Sequence, residues 1–319
     1  ANGADPFASK YDLDVLREGA ADLVLLGRSL VADPFWSKKV LEGREDDIVP
    51  CIRCNNCYHI ATEHFNTCCT VNPRVYRENR VPLTPPRAQT ARSVVVVGGG
   101  PAGLKAALTA AQRGHQVTLV EQSGALGGLM IPASVGAFKE DLRRYLSYLR
   151  RQVEKSQIHV MLHTRADRAL LERLHPDAVI LAVGGRAVMP PVPGLGTSGA
   201  VQAVALLNAG LETAGTRVTI LGGGSIGCEL ALDRMVTVVE LRDKLAANGN
   251  ELYRQDLMLH LEQETRITLL TQTVCTGVTA QGCTVREKDG GTRVIPHDTF
   301  VIAAGLRADA DAVEALYAQ

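Results

Sequence analysis

Two glycine-rich turns, each placed directly after a run of β-branched residues, constrain the fold of this chain more than any other feature. The first turn reads GGGPAG (residues 98–103) and follows the run SVVVV (residues 93–97). An alanine-rich helix is expected next, and a second strand-like run then ends at Glu121. The order of strand, glycine turn, helix and strand predicts a nucleotide-binding βαβ unit.

Three glycines of the first turn suit three different physical tasks. Gly98 suits the tight turn, Gly100 lets the backbone approach a pyrophosphate, and Gly103 lets the helix pack closely on the strand. The start of the helix offers unpaired N–H groups and the positive end of its dipole to phosphates. Glu121 can accept hydrogen bonds from a ribose.

A second turn repeats this arrangement. The run VTIL (residues 218–221) leads into GGGSIG (residues 222–227), and the following strand-like run ends at Glu240. A carboxylate at that position favours NADH over NADPH, because it repels a 2′-phosphate. Arg242 lies two residues further on and could accommodate such a phosphate instead.

The spacing after the second turn is short. Gly227 and Glu240 are 13 positions apart, whereas Gly103 and Glu121 are 18 positions apart. The sequence therefore predicts either a shortened helix or missing residues. We favour missing residues, with a chain break between about Ala231 and Met235.

The cysteines are unevenly distributed: five of the eight lie between positions 51 and 69. Clustering of this kind favours a metal site in a reducing compartment over disulfides. Cys51, Cys54 and Cys57 form a C-x2-C-x2-C run, and Cys68 and Cys69 follow it. Four of these thiolates could hold a 4Fe–4S cluster or a zinc ion, or remain free thiols.

The bulk properties exclude some functions. The formal net charge is zero, so neither nucleic acid nor an anionic membrane is indicated as a partner. No apolar run approaches the ~20 residues that a membrane-spanning helix needs. The start, Ala1-Asn2-Gly3, has no initiator methionine and no signal-peptide pattern, so we expect a cytoplasmic protein of which this is a middle segment.

The first 50 residues predict helix, strand and helix. Residues 13–18 have helical periodicity and end at Gly19. Residues 23–26 read LVLL, a continuous apolar run typical of a strand buried on both faces.

Further short motifs occur in order along the chain: ADLVLLGR (21–28), ADP (32–34), CTVNP (69–73), LGG (126–128), DAVILAVG (177–184) and DTFVIAAGLR (298–307). In these motifs the chain resembles the C-terminal portion of the iron–sulfur flavoproteins that include 2,4-dienoyl-CoA reductase, enoate reductase and trimethylamine dehydrogenase. The resemblance implies an α/β protein of four parts. They are the end of an FMN-binding TIM barrel (1–50), a 4Fe–4S segment with a linker (51–90), an FAD-binding Rossmann-like domain (91–205, resuming at 306–319) and an NAD(P)H-binding Rossmann-like domain (206–305).

The same resemblance implies a set of site residues. Gly27 and Arg28 would hold the FMN phosphate, although an ion pair at the surface stays open for Arg28. The family uses the cysteine before the Asn-Pro pair, which selects Cys69 over Cys68 as the fourth ligand. The implied sets are Cys51, Cys54, Cys57 and Cys69 for the cluster; Gly98, Gly100, Ala102, Gly103, Glu121 and Gly128 for FAD; and Gly222, Gly224, Gly227 and Glu240 for NAD(P)H.

The function implied by the resemblance is reduction of an activated C=C bond in a small enoate or enoyl thioester. Electrons would pass from NADH (or NADPH) to FAD, to the cluster, to FMN and then to the substrate. Two alternatives stay open: an amine dehydrogenase, and a non-catalytic nucleotide-binding electron carrier. An oligomer also stays open. Most of the barrel and the Gly-Asp segment by which the family contacts FAD are absent from the chain, so its catalytic residues are unknown.

Overall fold

The structure is a computed structural model that describes Val15 and residues 18–64, 66–232 and 235–317. Contacts divide it into two compact units. The first unit comprises the described residues up to Ser134, Lys139–Val183 and the chain from Asp311 onward, and the second comprises Val135–Phe138 and Gly184–Ala310. Within the described ranges, no helix has the length and apolarity needed to cross a membrane.

In the described part of the chain, the α-helices before the first sheet are α1 (Arg28–Ala32), α2 (Trp36–Leu41) and α3 (Asn56–His64). The predicted buried strand at residues 23–26 is wrong, because this stretch has no regular structure and Leu23 and Leu25 are 88% and 96% exposed. A parallel strand needs neighbours on its flanks, and no described strand pairs with this one. The helix predicted at residues 13–18 falls mostly outside the described residues.

The first sheet is parallel and has the strand order β3-β2-β1-β4. Its strands are β1 (Ser93–Val97), β2 (Gln116–Val120), β3 (His159–Met161) and β4 (Ala178–Leu181). The helices of this part are α4 (Pro101–Gln112), α5 (Met130–Ala133), α6 (Glu140–Glu154) and α7 (Arg168–Leu174). Val96, Leu104, Leu119 and Leu149 are buried in one cluster that joins strands to helices. The apolar run of β1 is explained by this burial, since helices cover the faces of a parallel sheet.

The second unit contains a parallel sheet with the strand order β6-β13-β7-β8-β9. Its strands are β6 (Val201–Gln202), β7 (Arg217–Leu221), β8 (Met235–Val239), β9 (Ile267–Leu270) and β13 (Thr299–Ile302). The helices of this part are α8 (Ala203–Ala209), α9 (Ser225–Ala231) and α10 (Glu251–Gln263), and α11 (Ala310–Tyr317) ends the described chain. Ile220, Val238, Leu261 and Val301 lie in its core.

Two antiparallel sheets complete the second unit. β10 (Val274–Val278), β11 (Gly282–Arg286) and β12 (Thr292–Pro296) form a three-stranded sheet. β5 (Gly185–Ala187) pairs with β14 (Leu306–Ala308). The boundary between the two compact units follows Val183, so it lies earlier in the chain than the domain boundary predicted at residue 205. The reason is that β5 and β6 pair with strands of the second unit.

The predicted α/β dinucleotide-binding fold is confirmed, with a glycine turn after β1 and another after β7. The helix after the second turn is shorter than its counterpart: α9 has 7 residues and α4 has 12. The chain break predicted between Ala231 and Met235 rests on residues 233 and 234, which lie outside the described residues.

Candidate functional site

The first glycine turn is packed so closely that side chains are excluded from it. Gly98 has a φ of +106°, and a Cβ there would lie 2.3 Å from the carbonyl oxygen of Ala182. A Cβ on Gly103 would lie 1.8 Å from the carbonyl oxygen of Gly98. Gly100 is the N-cap of α4, and Pro101 begins the helix with the fixed φ that suits this position.

Glu121 braces the turn from the end of β2. Its carboxylate accepts hydrogen bonds from the backbone N–H groups of Gly99 (2.6 Å) and Ser123 (2.7 Å), and the residue is only 7% exposed. Two carboxylate oxygens provide about four lone-pair positions, so acceptor capacity remains for ligand hydroxyls. Glu121 therefore shapes the turn and can bind a ribose.

A loop that follows Glu121 covers the turn. The N–H group of Gly127 donates to the carbonyl oxygen of Gly99 (2.7 Å). Gly128 has a φ of +52°, and a Cβ there would lie 2.9 Å from the Cα of Gly100. The structure thus brings Gly98, Gly100, Ala102, Gly103, Glu121 and Gly128, the predicted FAD residues, to one end of β1.

The second turn has nearly the same hydrogen bonds. A Cβ on Gly222 would lie 2.5 Å from the carbonyl oxygen of Ala303, and one on Gly227 would lie 2.0 Å from that of Gly222. The Glu240 carboxylate accepts from the backbone N–H groups of Gly223 (2.6 Å) and Arg242 (2.8 Å). The predicted residues Gly222, Gly224, Gly227 and Glu240 are thereby brought together at the end of β7.

The cysteine run lies at a cavity in the first unit. Cys51, Cys54, Cys57 and Cys69 all line it. The loop between these cysteines is tightly wound, because Arg53 and Asn55 have positive φ values of 46° and 55°. Cys68 does not line this cavity and instead accepts a hydrogen bond from the Asn56 side chain (3.4 Å).

Burial raises the pKa of the Cys51 and Cys69 thiols above the ordinary cysteine value. Backbone N–H groups oppose this effect by stabilising the thiolate: that of Arg53 at Cys51, and those of Val71 and Asn72 at Cys69. In the described part of the chain, no three His, Cys, Asp or Glu side chains are grouped so that they could hold a single metal ion. The four thiols therefore share a cavity without closing around one ion.

A protein-family model described as Pyridine nucleotide-disulphide oxidoreductase matches residues 92–318, which is more than half of the chain. The chain belongs to the pyridine nucleotide-disulphide oxidoreductase family. Both glycine turns lie inside the matched range, whereas the cysteine run lies before it.

The chain is also similar to named proteins. It is 35% identical to an NADH oxidase of Thermoanaerobacter brockii, over 91% of this chain and 46% of that protein. It is 33% identical to a bilirubin reductase of Mediterraneibacter gnavus, over 95% of this chain and 47% of that protein. A solved 2-naphthoyl-CoA reductase complex is 28% identical with a TM-score of 0.91, covering 97% of this chain and 48% of that one. The chain spans about half the length of these relatives, and the resemblance to flavin and iron–sulfur reductases is confirmed.

The predicted FMN residues, Gly27 and Arg28, lie next to the cysteines. Gly27 is the N-cap of α1, and Arg28 begins that helix. The Arg28 guanidinium donates to the side chain of Asn55 (2.5 Å) and lines the cysteine cavity. Binding of an FMN phosphate by Gly27 and Arg28 stays a prediction.

Sequence reasoning missed two contacts near these sites. The side-chain oxygen of Asn248 accepts from the backbone N–H of Ser225 at the start of α9 (3.1 Å). Arg53 of the cysteine loop forms an ion pair with the buried Asp141 of α6, 88 positions away. Neither contact carries a local sequence signal, because both join segments that no motif relates.

Proposed function

We propose that this protein is an NADH-dependent flavin and iron–sulfur oxidoreductase that reduces an activated C=C bond in a small unsaturated molecule. The observation that carries the proposal is the occurrence, in one chain, of two carboxylate-braced glycine turns and a cavity lined by four cysteines. The relatives named NADH oxidase, bilirubin reductase and 2-naphthoyl-CoA reductase fit this function.

The first turn binds FAD in this proposal. The N–H groups at the start of α4 face phosphate oxygens, which the positive end of the helix dipole also favours. Glu121 accepts from a ribose hydroxyl with the lone pairs that Gly99 and Ser123 leave available.

The second turn binds NADH. Glu240 accepts from the ribose hydroxyls, and its negative charge disfavours the 2′-phosphate of NADPH. NADPH is the alternative ligand, because the positive charge of Arg242 could accommodate its 2′-phosphate. The backbone N–H group of Arg242 donates to Glu240.

The cavity cysteines Cys51, Cys54, Cys57 and Cys69 hold a 4Fe–4S cluster, and Gly27 and Arg28 hold the FMN phosphate. Four thiols on one cavity match the ligand number of the cluster. Zinc is redox-silent, so a zinc site between two nucleotide folds would be only structural. The backbone N–H groups directed at Cys51 and Cys69 also stabilise thiolate ligands.

When bound, these groups pass the two electrons of a hydride from NADH to FAD, then singly through the cluster to FMN and so to the alkene. The described residues of this chain have three tasks in that sequence. They bind the two nucleotides, supply thiolates at the cavity, and hold the cysteine loop on the first unit through the Arg53–Asp141 ion pair.

One observation favours a second candidate, an amine dehydrogenase in which the second nucleotide fold is vestigial. Helix α9 has only 7 residues, which shortens the element that presents N–H groups to a nucleotide. Against this candidate, Glu240 keeps its hydrogen bond from Gly223 of the second turn and a further one from Arg242.

The test separates the two half-reactions in the full-length protein. Cys69→Ser replaces a soft thiolate with a harder oxygen ligand, so iron and acid-labile sulfide should be lost. FAD should be retained, because its turn is built from a different segment beginning at β1. In stopped-flow mixing, NADH should still bleach FAD quickly, while FMN reduction and alkene turnover should collapse.

Cys68→Ser is the matched control, since Cys68 is adjacent in sequence but does not line the cavity. It should keep iron content and turnover near the parent values. Normal FMN reduction by NADH in a Cys69→Ser protein that lacks iron would contradict the proposed route. Failure of NADH to bleach FAD in the parent protein would favour the amine dehydrogenase.

A further inference from the structure

An arginine outside the predicted site residues holds the loop that covers the first turn. Arg150 lies on α6 and is half-buried. Its Nε (2.8 Å) and Nη2 (2.5 Å) atoms both donate to the carbonyl oxygen of Leu126. Hydrogen bonds from a charged donor are roughly twice as strong as neutral ones, so this carbonyl group is firmly fixed.

The carbonyl group that Arg150 holds belongs to the same peptide group as the N–H of Gly127. That N–H group donates to the carbonyl oxygen of Gly99 in the turn (2.7 Å). In a planar trans peptide the C=O and N–H groups point in opposite directions, so a single peptide group bridges the guanidinium and the turn. The side chain of Leu126 also packs on the turn, since a Cβ on Gly99 would lie 2.8 Å from its Cδ2 atom.

The bridge continues through a second peptide group. The carbonyl of Gly99 and the N–H of Gly100 share this group, so the N–H points away from the covering loop. Gly100 is the N-cap of α4, where the proposed function places the FAD phosphates. A hydrogen bond accepted at one end of a peptide group strengthens the donor at its other end, by roughly 10–30% per bond. The positive charge of Arg150 thereby strengthens the Gly100 N–H group as a donor.

The second unit repeats the bridge with different residues. Nε of Arg254, on α10, donates to the carbonyl oxygen of Leu245 (3.0 Å). The N–H group of the next residue, Ala246, donates to the carbonyl oxygen of Gly223 (2.7 Å). Ala246 has a positive φ of 47°, which a residue with a side chain keeps only where its surroundings hold it. An arginine behind the covering loop is therefore common to the two turns.

We propose that Arg150 is a positioning residue of the first nucleotide site, which acts through two peptide groups on the phosphates of the bound nucleotide. The role rests on the proposed function, in which that nucleotide is FAD. The guanidinium fixes the covering loop and strengthens the Gly100 N–H group as a donor to a phosphate oxygen. Ribose binding does not depend on this bridge, because the Glu121 carboxylate holds the N–H of Gly99, which belongs to a different peptide group.

Arg150→Met tests this role in the full-length protein, because methionine keeps an unbranched side chain without the charge or the donors. Equilibrium dialysis against FAD, followed by chromatographic measurement of the bound FAD, gives the affinity. The affinity should fall roughly tenfold, as expected for the loss of a charge-assisted hydrogen bond. Arg151→Met is the matched control, since Arg151 is adjacent but pairs with the exposed Asp46, and it should keep the parent affinity.

Two fragments of the nucleotide separate this role from a purely structural one. ADP carries two phosphates, whereas adenosine carries only the base and the ribose, and each is titrated as a competitor of FAD in the same dialysis. In Arg150→Met the inhibition constant of ADP should rise roughly tenfold, and that of adenosine should stay near the parent value. Equal losses for ADP and adenosine would mean that Arg150 supports only the general shape of the site, which would overturn the proposal.

The second turn reports whether the variant is folded. NADH binding, measured by calorimetry, should be unchanged in Arg150→Met, because the second turn lies in the other unit. If NADH binding is lost as well, the fragments are compared in Arg150→Lys, which keeps the charge on a compact ammonium group, and ADP alone should again be weakened. A parent protein that takes up no FAD would contradict the proposed function. Parent FAD affinity in Arg150→Met would overturn only the role of Arg150.

Discussion

At the residue scale, two glutamates have the same role, one at each glycine turn. Glu121 accepts from the N–H groups of Gly99 and Ser123, and Glu240 accepts from those of Gly223 and Arg242. A hydrogen bond to a charged acceptor contributes about 1.5–3 kcal/mol, so each carboxylate helps to hold its turn in shape before any ligand arrives. If these carboxylates bind ribose as proposed, ribose binding and turn geometry are coupled in each of the two side chains.

Glu240→Gln should lower the affinity for NADH by roughly tenfold, because loss of the charge weakens hydrogen bonds by about 1.4 kcal/mol. The preference for NADH over NADPH should narrow at the same time, since the repulsion of a 2′-phosphate is gone. Titration of both nucleotides against the FAD-loaded protein measures the two effects.

Glu251→Gln is the matched control, because Glu251 is a carboxylate of the same unit that pairs with Lys244 and Arg254 instead of the turn. It should leave both affinities near the parent values. An unchanged NADH affinity in Glu240→Gln would remove Glu240 from the binding site.

At the scale of elements, strand pairing explains which predictions succeeded. The run at residues 93–97 could be predicted as a strand because its apolar continuity matches a position between β2 and β4. Residues 23–26 have the same continuity but no described neighbour; they remain irregular, and Leu23 and Leu25 are exposed. An apolar run indicates that its residues favour burial. Whether the run forms a strand depends on neighbouring strands, which the run itself does not encode.

An ion pair joins two strands of the second sheet. Asp298, immediately before β13, accepts from the guanidinium (2.7 Å) and the backbone N–H (2.9 Å) of Arg217 at the start of β7. These bonds lower the pKa of Asp298 to about 2. The folded pKa lies below the unfolded value of about 3.9, so the ionised group stabilises the fold above about pH 4.

Stability from this pair should therefore be lost as the pH falls from about 4 to about 2. Asp298→Asn should lower the midpoint temperature of unfolding at pH 7. As the pH falls from about 4 to about 2, the midpoint temperature of this variant should fall less than that of the parent. Thermal unfolding followed by circular dichroism measures this difference. Asp256→Asn, at an exposed carboxylate on α10, should reproduce the parent profile; equal acid dependence in all three proteins would refute the assignment.

At the scale of the whole molecule, each compact unit contains one glycine turn and its own core. Gly103→Ala would place a methyl group 1.8 Å from a backbone oxygen in the first unit, and Gly227→Ala would place one 2.0 Å from a backbone oxygen in the second. Overpacking against backbone costs about 1–3 kcal/mol and displaces the turn. Each substitution therefore tests one unit, and the other unit serves as its control.

We expect Gly103→Ala to lose FAD on gel filtration while NADH still binds, and Gly227→Ala to keep FAD while NADH affinity falls by tenfold or more, about 1.4 kcal/mol. Flavin absorbance and calorimetric titration measure the two occupancies. Loss of both ligands in either variant would mean that the units do not bind independently.

The candidate sites were predictable where their residues are close in sequence. The glycine turns and the cysteine run each lie within a short segment, so spacing alone identified them. The Arg53–Asp141 pair and the contact between Asn248 and Ser225 join distant segments, and only folding brings them together.

The loops that cover the two turns differ in one respect that bears on how long a bound nucleotide stays. At the first turn, the N–H group of Gly127 donates to the carbonyl oxygen of Gly99, and Gly128 packs against Gly100. At the second turn, the N–H group of Ala246 donates to the carbonyl oxygen of Gly223, so a residue with a methyl group takes the place of Gly127. Both loops donate to their turns over the same 2.7 Å, but only the first loop also brings two backbone segments together, at Gly128 and Gly100. A prosthetic group must stay for many catalytic cycles, and a cosubstrate must leave after each one. If the first turn binds FAD and the second NADH, as proposed, we expect slow exchange of the nucleotide at the first turn and fast exchange at the second.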